Sequence, residues 1–142
     1  TLLDSSAEMV RVSREKIDMQ QIRNMHLLHI NLEKDTLSDT FDLVYSQMVF
    51  HHISDIDLII KKLYTLIRPG GYLAIADLYP EDGTFHGEDF TGHPGFDPEW
   101  LSEKLLTAGF VNVSHQSCYT ISRITDHEGH KEFPVFLMTC SR

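Results

Sequence analysis

Two short apolar runs, each ending on a polar residue, flank a single amphipathic segment, and this arrangement limits the folds open to the chain. The runs are Phe41-Asp42-Leu43-Val44-Tyr45-Ser46 and Tyr72-Leu73-Ala74-Ile75-Ala76-Asp77. Between them Ile56, Ile59, Ile60, Leu63, Leu66 and Ile67 recur at helical spacing, and Arg68-Pro69-Gly70-Gly71 stops the pattern. Runs of this length bounded by polar turns are buried strands, and a helix between two of them makes a parallel crossover.

The same grammar extends in both directions. Leu2-Leu3-Asp4 reads as the end of a buried strand with an acid at its tip. Ser5 with Glu8 is a capping-box pattern that predicts a helix over about 6–17. Residues 24–32 are apolar enough for a strand, and His26, His29 and Asn31 place it at an edge. Ser54 with Asp57 repeats the capping signal, and Asp97-Pro98-Glu99 starts a third helix whose Trp100, Leu101, Leu105 and Leu106 face the core. After Gly109 two strands, 110–121 and 132–140, follow with only a polar loop containing Gly129 between them, so one of the two runs antiparallel. The expected architecture is one α/β domain over residues 1–142: an open, mostly parallel sheet with an antiparallel last strand and helices on both faces.

Composition narrows the class of partner. The 21 acidic against 12 basic side chains give a formal net charge of -9, the wrong sign for a phosphate-binding face, so no nucleic-acid partner is expected. Cys118 and Cys140 form no CxxC pair and read as reduced thiols of a cytoplasmic protein. No run reaches the length of a membrane span and no basic-apolar leader is present, so no membrane partner is expected.

Ligands of open α/β sheets bind outside the carboxyl ends of the strands. The polar tips there are Asp4, Asn31, Ser46-Gln47 and Asp77. A carboxylate at the first of these, ahead of a helix, matches the two hydroxyls of a ribose. Asp, Asn and Ser at such junctions also serve as plain caps, and for Asp77 the two readings stand level.

The segment from Phe41 to Ser46, then Val49-Phe50-His51-His52-Ile53, a helix, Arg68-Pro69-Gly70-Gly71-Tyr72-Leu73 and Asp77 resembles the second half of the class I S-adenosylmethionine-dependent methyltransferases. The group it is most similar to is the small-molecule type related to ubiquinone and menaquinone C-methyltransferases. Asp4 to Met9 resembles the acid and helix after that family's second strand, and Asp97 to Phe110 its late helix and the turn into strand six. The resemblance implies S-adenosyl-L-methionine as cofactor and a Rossmann-like sheet. It assigns Asp4 to the ribose hydroxyls, Ser5 and Met9 to the adenosine pocket, and Asn31 and Leu32 to the adenine. It sets Ser46 and Gln47 beside the methionine moiety, with Met48 and Val49 packed against the cofactor.

The chief departure is at the start. The family's first strand and its glycine-rich loop have no counterpart ahead of Thr1, so the chain is expected to be an N-terminally truncated domain with weak or no activity by itself. Two strand edges are expected to lack partners, and a homodimer or a swapped assembly would complete the sheet. Residues 78–96 are the expected substrate-side insert. His52, His86 and His93 are the candidate catalytic residues, as general base or substrate ligand, with His51 the alternative to His52. No metal is expected, since the histidine spacings match no metal motif. His26, His29, His115, His127 and His130 read as structural or solvent-facing. The absence of an Asn-Pro-Pro-Tyr-like tetrapeptide at Ser46-Gln47-Met48-Val49 disfavours an adenine or glutamine amide acceptor. Two alternatives stay open: a non-catalytic methyltransferase-like subunit or binding module, and a fragment of an NAD(P)-dependent oxidoreductase.

Overall fold

A computed structural model describes residues 1–87, 89–125 and 129–142. The chain divides into two compact units, residues 1–37 and 38–142. In the first, strand β1 (Leu2–Asp4) leads into helix α1 (Ala7–Met19) and returns as strand β2 (Leu27–His29), parallel to β1 in the register Leu2↔Leu27 to Asp4↔His29. Ser6, rather than Ser5, is the N-cap of α1: its hydroxyl accepts from the Met9 N–H at 3.3 Å. The strand expected over 24–32 shortens to the three residues that β1 can pair.

The second unit carries a four-stranded sheet of order β3-β4-β6-β5. Its strands are β3 (Phe41–Gln47), β4 (Ile67–Leu78), β5 (Val111–Thr125) and β6 (Gly129–Ser141). β3 and β4 are parallel, joined through α2 (Ile56–Leu66), whereas β6 runs antiparallel to both β4 and β5. This is the mixed sheet expected from the two closing strands without a helix between them.

Leu73 and Ile75 of β4 alternate in phase with Cys140 and Met138 of β6, and this face carries the main core with Ile59, Ile60 and Leu63 of α2. Helix α3 (Pro98–Thr107) adds Leu101 and Leu105, one turn apart and both fully buried. Trp100 and Leu106, expected in the core, are 40% and 53% exposed because they fall off that row. Trp100 instead stacks on Phe96 and lies under the Lys104 ammonium. Asp55 caps α2 through the Leu58 N–H at 2.9 Å, displacing the expected Ser54.

Arg68-Pro69-Gly70-Gly71 does more than end a helix. Phe41 pairs with Ile67, but Leu43 already pairs with Tyr72, so the segment is bulged out of the ladder. A Cβ on Gly71 would lie 2.8 Å from the Asp42 carbonyl oxygen, so only glycine lets the two strands close there. β3 differs from the buried strand expected. Leu43 and Tyr45 are 58% and 68% exposed: among the described residues β3 is the edge strand of its sheet, and the face carrying these two side chains is left open.

Phe136, fully buried on β6, should cost about 3–5 kcal/mol when replaced by alanine, read as a lower midpoint in denaturant titration. Cys140 is buried and its thiol is pushed up to about 12 by desolvation, while Cys118 is exposed. Iodoacetamide at pH 8 is therefore expected to label Cys118 and spare Cys140 in the native protein, as mass spectrometry of its peptides would show.

Candidate functional site

Each unit presents polar groups at its strand tips. In the first, the Asp4 Oδ1 accepts the Ser6 N–H at 2.8 Å, so the carboxylate sits over the opening turn of α1. The His29 ring Nε2 lies 3.1 Å from the Ser5 carbonyl oxygen and ties the two strand tips together. The Asn31 side-chain oxygen accepts the Glu33 N–H at 2.9 Å, and the Asn31 backbone N–H donates to the Asp35 carboxylate, so the residue holds a turn just beyond β2. Met9 is half exposed on α1.

In the second unit β3 and β4 end side by side. Gln47 pairs with Ala76, and the Met48 N–H donates to the Ala76 carbonyl at 2.9 Å. Met48 has φ 54, the left-handed region that a branch-free loop residue seldom occupies, and this sharp turn ends β3 and starts the single 3-10 turn Phe50–His52. Phe50 anchors the turn in the core at 1% exposure.

The turn delivers His51 to Asp77. His51 is 1% exposed and Asp77 0%, and the Nδ1–Oδ1 distance is 2.6 Å. The same Oδ1 accepts the Leu78 N–H at 2.8 Å, and Oδ2 is 3.4 Å from the His51 backbone nitrogen. With Nδ1–H donating to the carboxylate, the outer Nε2 of a neutral His51 is an acceptor. It faces the Nε2 of His86 at 2.9 Å, so His86 Nε2–H donates across that gap.

His86 arrives on the long connection after β4, which is closed at its base by Phe96 N–H to the Leu78 carbonyl at 2.8 Å and Glu81 N–H to the Pro94 carbonyl at 2.9 Å. Phe85 beside it packs on Phe133, and the Arg123 guanidinium covers the Phe85 ring and donates to its carbonyl. The His86 ring stacks on Phe90 at 4.2 Å. Gly92 passes the His51 carbonyl so closely that a Cβ would lie 2.2 Å from that oxygen. His52, His86 and His51 thus form one cluster. Burial, then the neighbouring His51, holds the imidazoles of His52 and His86 below their ordinary value.

Of the histidines singled out in the sequence, the structure gathers His52 and His86 with His51. His93 stands apart: its Nε2 is 3.0 Å from the Ile53 carbonyl oxygen, and its ring packs on Phe96. It lines, with His52, Ile53, Phe90 and Thr91, a cleft of about 280 Å³ beside the cluster. His51 and Asp77 were recognisable only as a strand tip and a neighbouring histidine, since burial is what separates them from ordinary caps. His115 bonds Glu99 on α3, and His127 lies outside the described residues.

Residues 1–75 match the family model described as a methyltransferase domain. The chain belongs to this family. An uncharacterized methyltransferase of Schizosaccharomyces pombe is 31% identical over 128 residues, 78% of this chain and 45% of that protein. A demethylmenaquinone methyltransferase of a Geobacillus species is 25% identical over 159 residues, 91% of this chain and 67% of its own length. Among solved structures, a SAM dependent methyltransferase from Aquifex aeolicus superposes with a TM-score of 0.63 at 24% identity, covering 96% of this chain and 66% of that one. The fold is accordingly the Rossmann-like class I methyltransferase sheet. The chain spans less than half the length of its Schizosaccharomyces relative.

Removing the carboxylate at Asp77 leaves the His51 Nδ1–H and Leu78 N–H without their buried acceptor. Asp77→Ala is expected to lower stability by about 1–3 kcal/mol, with Asp77→Asn costing less, as chemical denaturation of the two variants would measure.

Proposed function

We propose that the protein transfers a methyl group from S-adenosyl-L-methionine to a small-molecule acceptor. The observation that carries this reading is the family-matched segment, residues 1–75, which takes in the Asp4 corner, the β3 tip and the Arg68–Gly71 bulge. S-adenosyl-L-methionine supplies a methyl group already activated on a sulfonium, so the protein has to bind, align and exclude water.

The residues present fit that group at its ribose end. Asp4 stands between a strand tip and a helix start, its Oδ1 engaged with the Ser6 N–H, which is the setting that orients a carboxylate toward a vicinal diol. In this reading Asp4 takes the ribose hydroxyls, Ser5 and Met9 line the adenosine, and Asn31 and Leu32 take the adenine. Ser46 and Gln47 lie beside the methionine moiety, and Met48 packs against the cofactor. The left-handed turn at Met48 supports that role, because it fixes where β3 ends. His52 and His93, which line the cleft, and His86, which meets His52 in the neighbouring cluster, form the acceptor end. Imidazoles held below their ordinary value stay uncharged near neutrality and suit an acceptor that ionises at a hydroxyl or thiol. The name of the Geobacillus relative makes a quinol-type ring one acceptor to try.

Calorimetric titration of the full-length protein with S-adenosylhomocysteine is expected to show binding in the micromolar range that Asp4→Ala abolishes. Asp4→Asn, which retains an acceptor for the Ser6 N–H, should weaken binding at least tenfold without unfolding α1. A folded full-length protein that does not bind overturns the proposal. Residues 1–142 hold no Gly-x-Gly-x-Gly run, and the 142-residue chain alone is expected to bind weakly or not at all.

A further inference from the structure

Three imidazoles converge on one point beside the cleft, and one of them is held from behind by a carboxylate with no access to water. One ring nitrogen from each of His51, His52 and His86 lies within 4.8 Å of the others. The closest approach is the 2.9 Å between the Nε2 atoms of His51 and His86. Two nitrogen ligands of a tetrahedral zinc ion, at Zn–N of about 2.0–2.1 Å, are roughly 3.3 Å apart, so a small opening of this pair admits the ion. His52 completes the set. It is exposed on the 3-10 turn, where a change of rotamer meets no core packing.

We propose that His51, His52 and His86 bind a zinc-class divalent cation. Asp77 fixes the geometry. Its bond to Nδ1 holds the His51 ring in the tautomer whose Nε2 lone pair points outward, as carboxylates behind metal-bound histidines do. A fully buried carboxylate also favours a cation one imidazole away, which balances its charge. Three nitrogen donors select zinc or a neighbouring transition metal over magnesium or calcium. Two of the ligands are exposed, leaving the fourth position open toward the cleft. An acceptor bound there would meet the cation through an oxygen or sulfur anion, with the Phe85 and Phe90 rings set edge-on to His51 and His52. The separation of His86 from the His51-His52 pair by more than thirty residues explains why no metal spacing is visible in the sequence.

The test is metal binding itself, which stands whether or not the protein transfers methyl groups. Metal-stripped protein is titrated with zinc chloride by calorimetry and with cobalt chloride by visible absorption. One ion per chain and a cobalt spectrum of tetrahedral intensity are expected. His86→Ala and His52→Ala, both at exposed positions, should each weaken binding at least tenfold, and Asp77→Asn should weaken it tenfold to a hundredfold. His115→Ala, on β5, should leave binding unchanged. Absence of stoichiometric binding overturns the proposal. So does binding that survives His52→Ala and His86→Ala together, since the chain's nine histidines could then account for it at the surface.

Discussion

A carboxylate that water cannot reach has to find its donors inside the protein, and Asp77 finds all of them within two neighbouring turns of chain. Its position is set by β4, which is paired on one side by parallel β3 and on the other by antiparallel β6. Meeting it requires β3 to stop at Gln47, Met48 to reverse the chain and Phe50 to sink into the core, so that His51 is presented at bonding distance. The turn, the tautomer of His51 and the approach of His86 all follow from that one pairing. The Gly92 backbone closes the arrangement from the other side.

The fold was largely legible because its signals are local. β3 and α2 announce themselves by an apolar run and a helical stripe and lie where the pattern put them, whereas β4 starts at Ile67, ahead of the Pro-Gly-Gly segment that reads as a stop before a strand at Tyr72. Caps moved by one residue where two capable side chains adjoin, at Ser5-Ser6 and Ser54-Asp55, since only backbone geometry chooses between them. The exposure of Leu43 and Tyr45 was invisible for a different reason. A strand's composition reports its own preference for burial, whereas its exposure depends on whether a further strand or helix covers it.

The candidate site was legible in parts. Strand tips can be read directly, so Asp4, Ser46 and Asp77 stand out in the sequence as polar strand-end groups. The histidine cluster could not be composed from spacing, because it depends on how the connection between Leu78 and Phe96 folds back, closed by two backbone bonds at its base. Sequence pointed to His52, His86 and His93. Geometry groups the first two with His51, and gives His93 a bond to the Ile53 carbonyl instead.

The β5–β6 pair runs past the end of β4: Leu78 pairs with Val135, the Tyr79 N–H donates to the Pro134 carbonyl, and Gly129 to Phe133 pair with β5. That overhang holds the connection carrying His86 through Arg123 on the Phe85 carbonyl, Phe133 on the Phe85 ring, and Lys131 on Asp82. The hairpin therefore acts as a splint, and the length of two strands far along the chain sets the stiffness of the histidine cluster. The Lys131 tie is an ion pair with Asp82 more than half exposed, which dissolved salt screens. The ionic strength of the medium is thus a dial on how firmly His86 is held, while the aromatic and carbonyl ties keep the connection in register.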